Sequence, residues 1–196
     1  MIKQLKALRL AGGVVMIKKK LPFFVKWCKM RAKDENKRVK EKRRNRMKRP
    51  YSATLIARYI ISRESECNRS VSNLRLQKLL YFVQAYFFLS LDEPCFKNRI
   101  EAWDFGPVVP EVYHKYKRFG SMIIQENEKC PVENIDEEDC QKIDEMLDAC
   151  ADKTTRELVN ITHEQKPWQR AYKNLFSNEI TQESIRDMFA EMRKQA

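Results

Sequence analysis

The chain has 196 residues, 43% of them hydrophobic, with ten Phe, seven Tyr and three Trp, enough for one packed domain and an extension. Only four glycines argue against a phosphate-cradling loop fold and favour a helical protein. The net charge of +12 is uneven: residues 1–50 hold 19 Lys+Arg against 3 Asp+Glu, leaving residues 51–196 with 20 against 24 of the chain's 39 and 27.

The basic character therefore belongs to an extension, residues 1–49, and says little about the partner of residues 50–196. To about Cys28 the extension mixes Leu, Val, Phe and Trp27 with lysines, and from Lys29 it is a charged run without an apolar face. So little apolar area cannot offset the entropy of ordering, and a disordered or loosely helical segment is expected. Leu10 to Ile17, broken by Gly12-Gly13 and followed by Lys18-Lys19-Lys20, does not read as an export signal. Lys42-Arg43-Arg44 can be encoded as AAA-AGG-AGG, a bacterial ribosome-binding sequence, just ahead of Met47. Residues 1–46 are accordingly expected to be a leader read in frame, with the cellular protein starting at Met47. N-terminal mass spectrometry of the native protein checks this, and peptides from residues 1–40 would sink it.

From Pro50 the pattern is one of capped helices. Ser52 caps a helix to about Ser62, with Leu55, Ile56, Tyr59 and Ile60 along one side. Ser72 caps NLRLQKLLYFVQAYFFLSL, apolar nearly all round from Leu79 to Leu89, as expected of the central helix of a small core. Arg75, Gln77, Lys78 and Gln84 make it too polar for a membrane span. Gln77 and Gln84 share one stripe, which is either a solvent edge or a polar handle for a partner. Ile100 to Phe105 has extended character; Pro110 opens a helix to about Phe119 that Gly120 stops. A helix over about 136–151 places Cys140, Ile143, Met146, Leu147 and Cys150 on one face. Thr154 and Glu157 form a capping box for a helix to about Ile161. Lys166-Pro167-Trp168 opens another helix, and Thr181 caps the last, with Ile185, Met188, Phe189 and Met192 on one stripe. The expected fold is mainly α, a small single-domain helical bundle with a short β element near residues 99–109.

Catalytic and metal signals are weak. The six cysteines have no CxxC spacing and only His114 and His163 accompany them, which argues against zinc and for reduced, mostly buried thiols. Cys95 or Cys140 could pair with His163, or Glu101, Asp104 and Glu111 could converge, but no spacing brings either set together. No cofactor is expected.

Leu76-Gln77-Lys78-Leu79-Leu80-Tyr81-Phe82, then Glu101-Ala102-Trp103, Gly106-Pro107-Val108 and Val112-Tyr113, with a later Glu157-Leu158 and Pro167-Trp168, resemble the Panacea domain, or SocA-like antitoxin domain. The resemblance covers about residues 51–192. It implies an antitoxin common in prophages and mobile elements, acting in the cytoplasm without catalysis. Its partner would be a cognate protein toxin, which one branch of the family presents to a Clp-type protease. Many relatives carry an N-terminal helix-turn-helix domain; nothing here resembles one, so nucleic acid is not expected to bind residues 50–196.

The expected partner surface is the loop 103–113 with the exposed side of helix 72–91. Its residues would be Gln77, Lys78, Tyr81, Gln84, Trp103, Asp104, Gly106, Pro107, Val108, Tyr113 and Trp168. Trp103, Tyr113 and Trp168 are the anchors by residue type, although a Trp beside Gly-Pro also serves as a core plug. The alternative is a nucleic-acid-binding protein working through its basic N-terminal arm. Retention on DNA or RNA by the full chain and by residues 47–196 separates the two.

Overall fold

The computed structural model describes residues 49–126, 130 and 132–194, with side chains to residue 190. The basic arm, Cys28 and the side chain of Met192 lie outside the described residues. Seven α-helices and a small three-stranded sheet are described, so the fold is mainly α.

Helix α1 (Ala53–Glu66) starts where the Ser52 hydroxyl accepts the Leu55 N–H at 3.2 Å. It outlasts the expected end at Ser62 because its last turn is charge-paired: Arg63 with Glu66 at 3.2 Å, and buried Glu64 with Arg69 at 2.7 Å. The chain then reverses at Asn68, whose φ of 56° is a left-handed conformation Asn tolerates. Helix α2 (Asn73–Leu91) is capped by Ser72 and runs through the centre, packed by α1, by α4 (Glu137–Cys150), by α5 (Thr155–His163) and by α7 (Gln182–Lys194). Leu76, Leu79, Leu80, Phe82, Phe87 and Phe88 on it are all essentially inaccessible, each contributing roughly 1.5–3 kcal/mol of burial.

Between α2 and α4 the chain forms β1 (Ile100–Trp103), β2 (Gly106–Val108) and α3 (Pro110–Tyr116). A 3₁₀ turn (Lys117–Phe119) follows α3 and ends at Gly120, φ 55°. β1 is the middle strand, antiparallel to β2 with Trp103 opposite Gly106, and antiparallel to β3 (Glu179–Ile180) with Ile100 opposite Ile180. The two-residue β3 is too short to show an alternating pattern, and the sequence reading misses it. The Thr154–Glu157 capping box forms reciprocally, at 3.2 and 3.1 Å, and opens α5, two residues longer than expected. Helix α6 (Lys166–Tyr172) carries Pro167 in its first turn.

Arg49 marks the start of the described chain and is held firmly: its guanidinium reaches Asp139 at 3.1 Å and Glu93 at 3.2 Å. The Tyr51 hydroxyl donates to the same Asp139 carboxylate at 2.8 Å. No helix of the described residues is long and apolar enough to cross a membrane.

Candidate functional site

The polar residues of α2 are spaced to meet the backbone packed across it. Gln77, Tyr81 and Gln84 stand at i, i+4 and i+7, one stripe of the helix. Gln77 accepts the Val109 N–H at 2.9 Å and donates to Asn73 at 3.0 Å. Tyr81 donates to the Gln165 side chain at 2.6 Å. Gln84 forms a two-way bond with the Phe96 backbone, at 3.0 and 3.1 Å, and a short contact with Gln182. Lys78, beside the stripe, donates to the Pro107 carbonyl at 2.6 Å. Burial alone lowers its amine from 10.5 to about 7. These side chains satisfy groups that would otherwise be buried without partners, and Lys78 and Gln77 fix β2 and its exit at Pro107 and Val109.

So held, the β1–β2 hairpin projects a two-residue turn, Asp104–Phe105. Trp103 is half-buried; its indole donates to Glu101 at 2.8 Å, and its ring meets Tyr113 edge to face at 4.8 Å. Behind the turn is a ladder of stacked rings, His163 on Trp168 at 4.0 Å and Trp168 on Tyr172 at 4.6 Å. The ladder braces the hairpin: Trp168 donates to the Trp103 carbonyl at 3.1 Å and Tyr172 to Asp104 at 3.0 Å. Burial first, then neighbouring Lys78, lower the pKa of His163.

In front of the hairpin lies an open groove of about 650 Å³, between β1, β2, α3 and the first turn of α2. Leu74, Trp103, Phe105, Val108 and Tyr113 form its apolar walls; Asn73, Gln77, Asn178 and Lys117 contribute polar atoms. Phe105 is 67% exposed. Residues 173–177 are tethered to the same end of the sheet, by Tyr172 to Asp104 and by the Asn178 carbonyl to the Ala102 N–H at 2.7 Å. They present Leu175 and Phe176, 95% and 98% exposed.

Residues 76–169, from the first turns of α2 through the hairpin to α6, match the family described as Antitoxin SocA-like, Panacea domain. They form a Panacea domain of the SocA-like antitoxins. The chain is also 36% identical over 72 residues to Antitoxin SocA of Caulobacter vibrioides, which covers 37% of this chain and 38% of that protein. It thus spans well under half the length of that relative. No solved structure matches.

Within this Panacea domain the expected site residues fall into two groups. Trp103, Asp104 and Tyr113 reach the surface and stand together. Gln77, Lys78, Tyr81, Gln84, Gly106, Pro107 and Val108 are buried, and Trp168 is only 9% exposed. The Gln77–Gln84 stripe is neither a solvent edge nor a handle on an open surface, because the hairpin, the 95–97 loop and α7 cover it. The expected exposed side of helix 72–91 is reduced to Leu74 for the same reason: the helix is enclosed by the bundle. Phe105 and Leu74 lie within the expected loop and helix without being named there, and Lys117, Asn178, Leu175 and Phe176 escape the sequence reading. Leu175-Phe176 carries a signal in hindsight, an apolar pair inside the polar loop Lys173–Glu179 without a helical or strand period to place it in a core.

The catalytic combinations do not assemble. Glu101 meets the Trp103 indole, Arg99 and Asn178, Asp104 meets Tyr172, and Glu111 meets Asn98, so the three carboxylates have separate partners. Burial pushes the Cys95 thiol well up and that of Cys140 up to about 11, leaving both protonated at neutral pH. Among the described residues no cluster of His, Cys, Asp or Glu could hold a metal ion.

Proposed function

We propose that the chain is a cytoplasmic antitoxin that neutralises a cognate protein toxin by direct binding, with no catalytic step. The Panacea domain supports the class, and the observation that carries the mechanism is the apolar face at the hairpin end. Phe105, Leu175 and Phe176 are largely exposed there beside the Trp103–Tyr113 groove. Large apolar side chains left in water mark an interaction surface. Phe105 sits on a hairpin held by buried hydrogen bonds and stacked rings, and Leu175 and Phe176 on a loop tethered to the same end of the sheet, so little ordering entropy is lost on docking.

The test begins with the neighbouring gene: a small frame that is lethal alone and tolerated with this chain identifies the toxin. The variant Phe105→Asp with Phe176→Asp changes only exposed positions. It is expected to fold with unchanged circular dichroism and to bind the toxin at least about 30-fold more weakly, the scale of a lost hot spot. Trp103→Ala with Tyr113→Ala strips the groove wall and should also lose rescue. Wild-type toxin binding by both variants would discard this surface.

A further inference from the structure

The hydrogen-bonding groups of the groove divide by whether they already have partners. Its amides are engaged: Asn73 donates to the Tyr113 carbonyl and accepts from Gln77, Gln77 accepts from Val109, and Asn178 bonds Glu101 and Arg99. The Tyr113 hydroxyl, the Ser121 hydroxyl and the Lys117 ammonium make no hydrogen bond or ion pair among the described residues. All three can donate, and they come from one end of the groove, α3 and the turn that follows it. Lys115 and Arg118 are exposed on the same turn, their charges over the rings of Tyr116 and Phe119. The one carboxylate lining the groove, Asp104, comes from the hairpin turn and is tied to Tyr172.

An apolar trough with unpaired donors and cations at one end complements an acid beside bulky apolar side chains. About 650 Å³ lies within the ~300–1,000 Å³ range of specific sites. We infer that the groove seats one segment of a partner protein, which inserts bulky apolar side chains against Leu74, Trp103 and Val108 and places a Glu or Asp at Lys117, Tyr113 and Ser121. This rests on the toxin-binding reading and specifies the toxin: its docking segment is acidic, even where its overall charge is basic.

The test uses the full chain and two short fluorescein-labelled peptides, capped at both ends. They share a stripe of Leu, Phe and Trp, and differ in flanking residues, Glu in one and Lys in the other. Residues 1–48 are strongly basic and attract any acidic peptide, so the readout is the change made by Lys117→Glu, an exposed position, in fluorescence anisotropy at near-physiological salt. The Glu-flanked peptide is expected to bind wild type about fivefold more tightly than Lys117→Glu, the upper range for one exposed ion pair, while the Lys-flanked peptide shifts the other way. Equal binding of the Glu peptide to both proteins, or no binding of either peptide, overturns the inference. So does indole-3-acetate binding as tightly as the Glu peptide, since the groove would then be a small-ligand site. Rescue from the toxin is scored separately: rescue without the charge preference rejects the acidic segment alone, and the preference without rescue rejects the antitoxin reading alone.

Discussion

Gly106→Ala is expected to destabilise the domain by about 2–6 kcal/mol and to disorder the hairpin that carries Trp103, Asp104 and Phe105. Two effects combine. Gly106 has a φ of +97°, where an L side chain is strained, at a cost of about 1–3 kcal/mol. A Cβ there would also stand 2.6 Å from the Thr162 hydroxyl oxygen and 2.8 Å from the Lys78 amine. Neither neighbour can withdraw freely, since Thr162 is bonded to the Val159 carbonyl at 2.7 Å and Lys78 to the Pro107 carbonyl at 2.6 Å. Forcing atoms into such a place adds about 1–3 kcal/mol. Gly120→Ala is the matched comparison: φ is +55°, and nothing lies within 4 Å of its added Cβ. With ψ at −122° the position also lies outside the left-handed helical region, and the change should cost about 1–3 kcal/mol, the strain alone. Urea unfolding of the two variants decides the point, and equal losses would show that the contacts behind Gly106 are not rigid.

The hairpin also marks where sequence reasoning stops. Ser52, Ser72, Thr154 and Thr181 announce their helices because a cap bonds an amide three residues away, within the same short word. The apolar run of α2 announces its central place, since nothing polar enough remains to face water. What Gln77, Lys78, Tyr81 and Gln84 do is decided by partners 32, 29, 84 and 12 residues away. A stripe of glutamines on an apolar helix shows that polar work is done, but not whether the acceptor is a partner or the chain's own backbone. Trp103, Asp104 and Tyr113 are singled out by their motif, and the structure brings the three to the surface along one groove. Phe105 lies inside the same motif and becomes conspicuous only when its 67% exposure is known. Lys117 and Ser121 acquire meaning from the groove they line, which no local pattern encodes.

Lys78→Met is expected to remove a rise in stability with pH that the wild type shows from about pH 7 upward. The amine is fully buried, hydrogen-bonded to the Pro107 carbonyl, and lowered by desolvation from 10.5 to about 7. Between those values the unfolded chain carries the proton and the folded chain does not. The unfolded state therefore binds one more proton, and stability increases with pH by up to about 1.4 kcal/mol per unit. Below pH 7 both states are protonated and the destabilisation is constant. His163, lowered by burial and by Lys78, acts with the same sign but only below its ordinary 6.5. Buried Cys95, Cys140 and Cys150 and half-buried Cys130, all raised, act with the opposite sign once unfolded thiols begin to ionise near 9. Lys142, buried and lowered as well, acts with the same sign in both proteins and cancels in their difference, so the window from pH 7 to about 8.5 reports Lys78. Methionine keeps the length and apolar stem but leaves the Pro107 carbonyl without its donor, a loss of about 1–3 kcal/mol that does not vary with pH. The difference in unfolding free energy, wild type minus Lys78→Met, should therefore climb across that window, while its offset reports the carbonyl. Parallel pH profiles for the two proteins would show that Lys78 keeps its proton when buried, and that the hairpin is pinned by an ammonium rather than an amine.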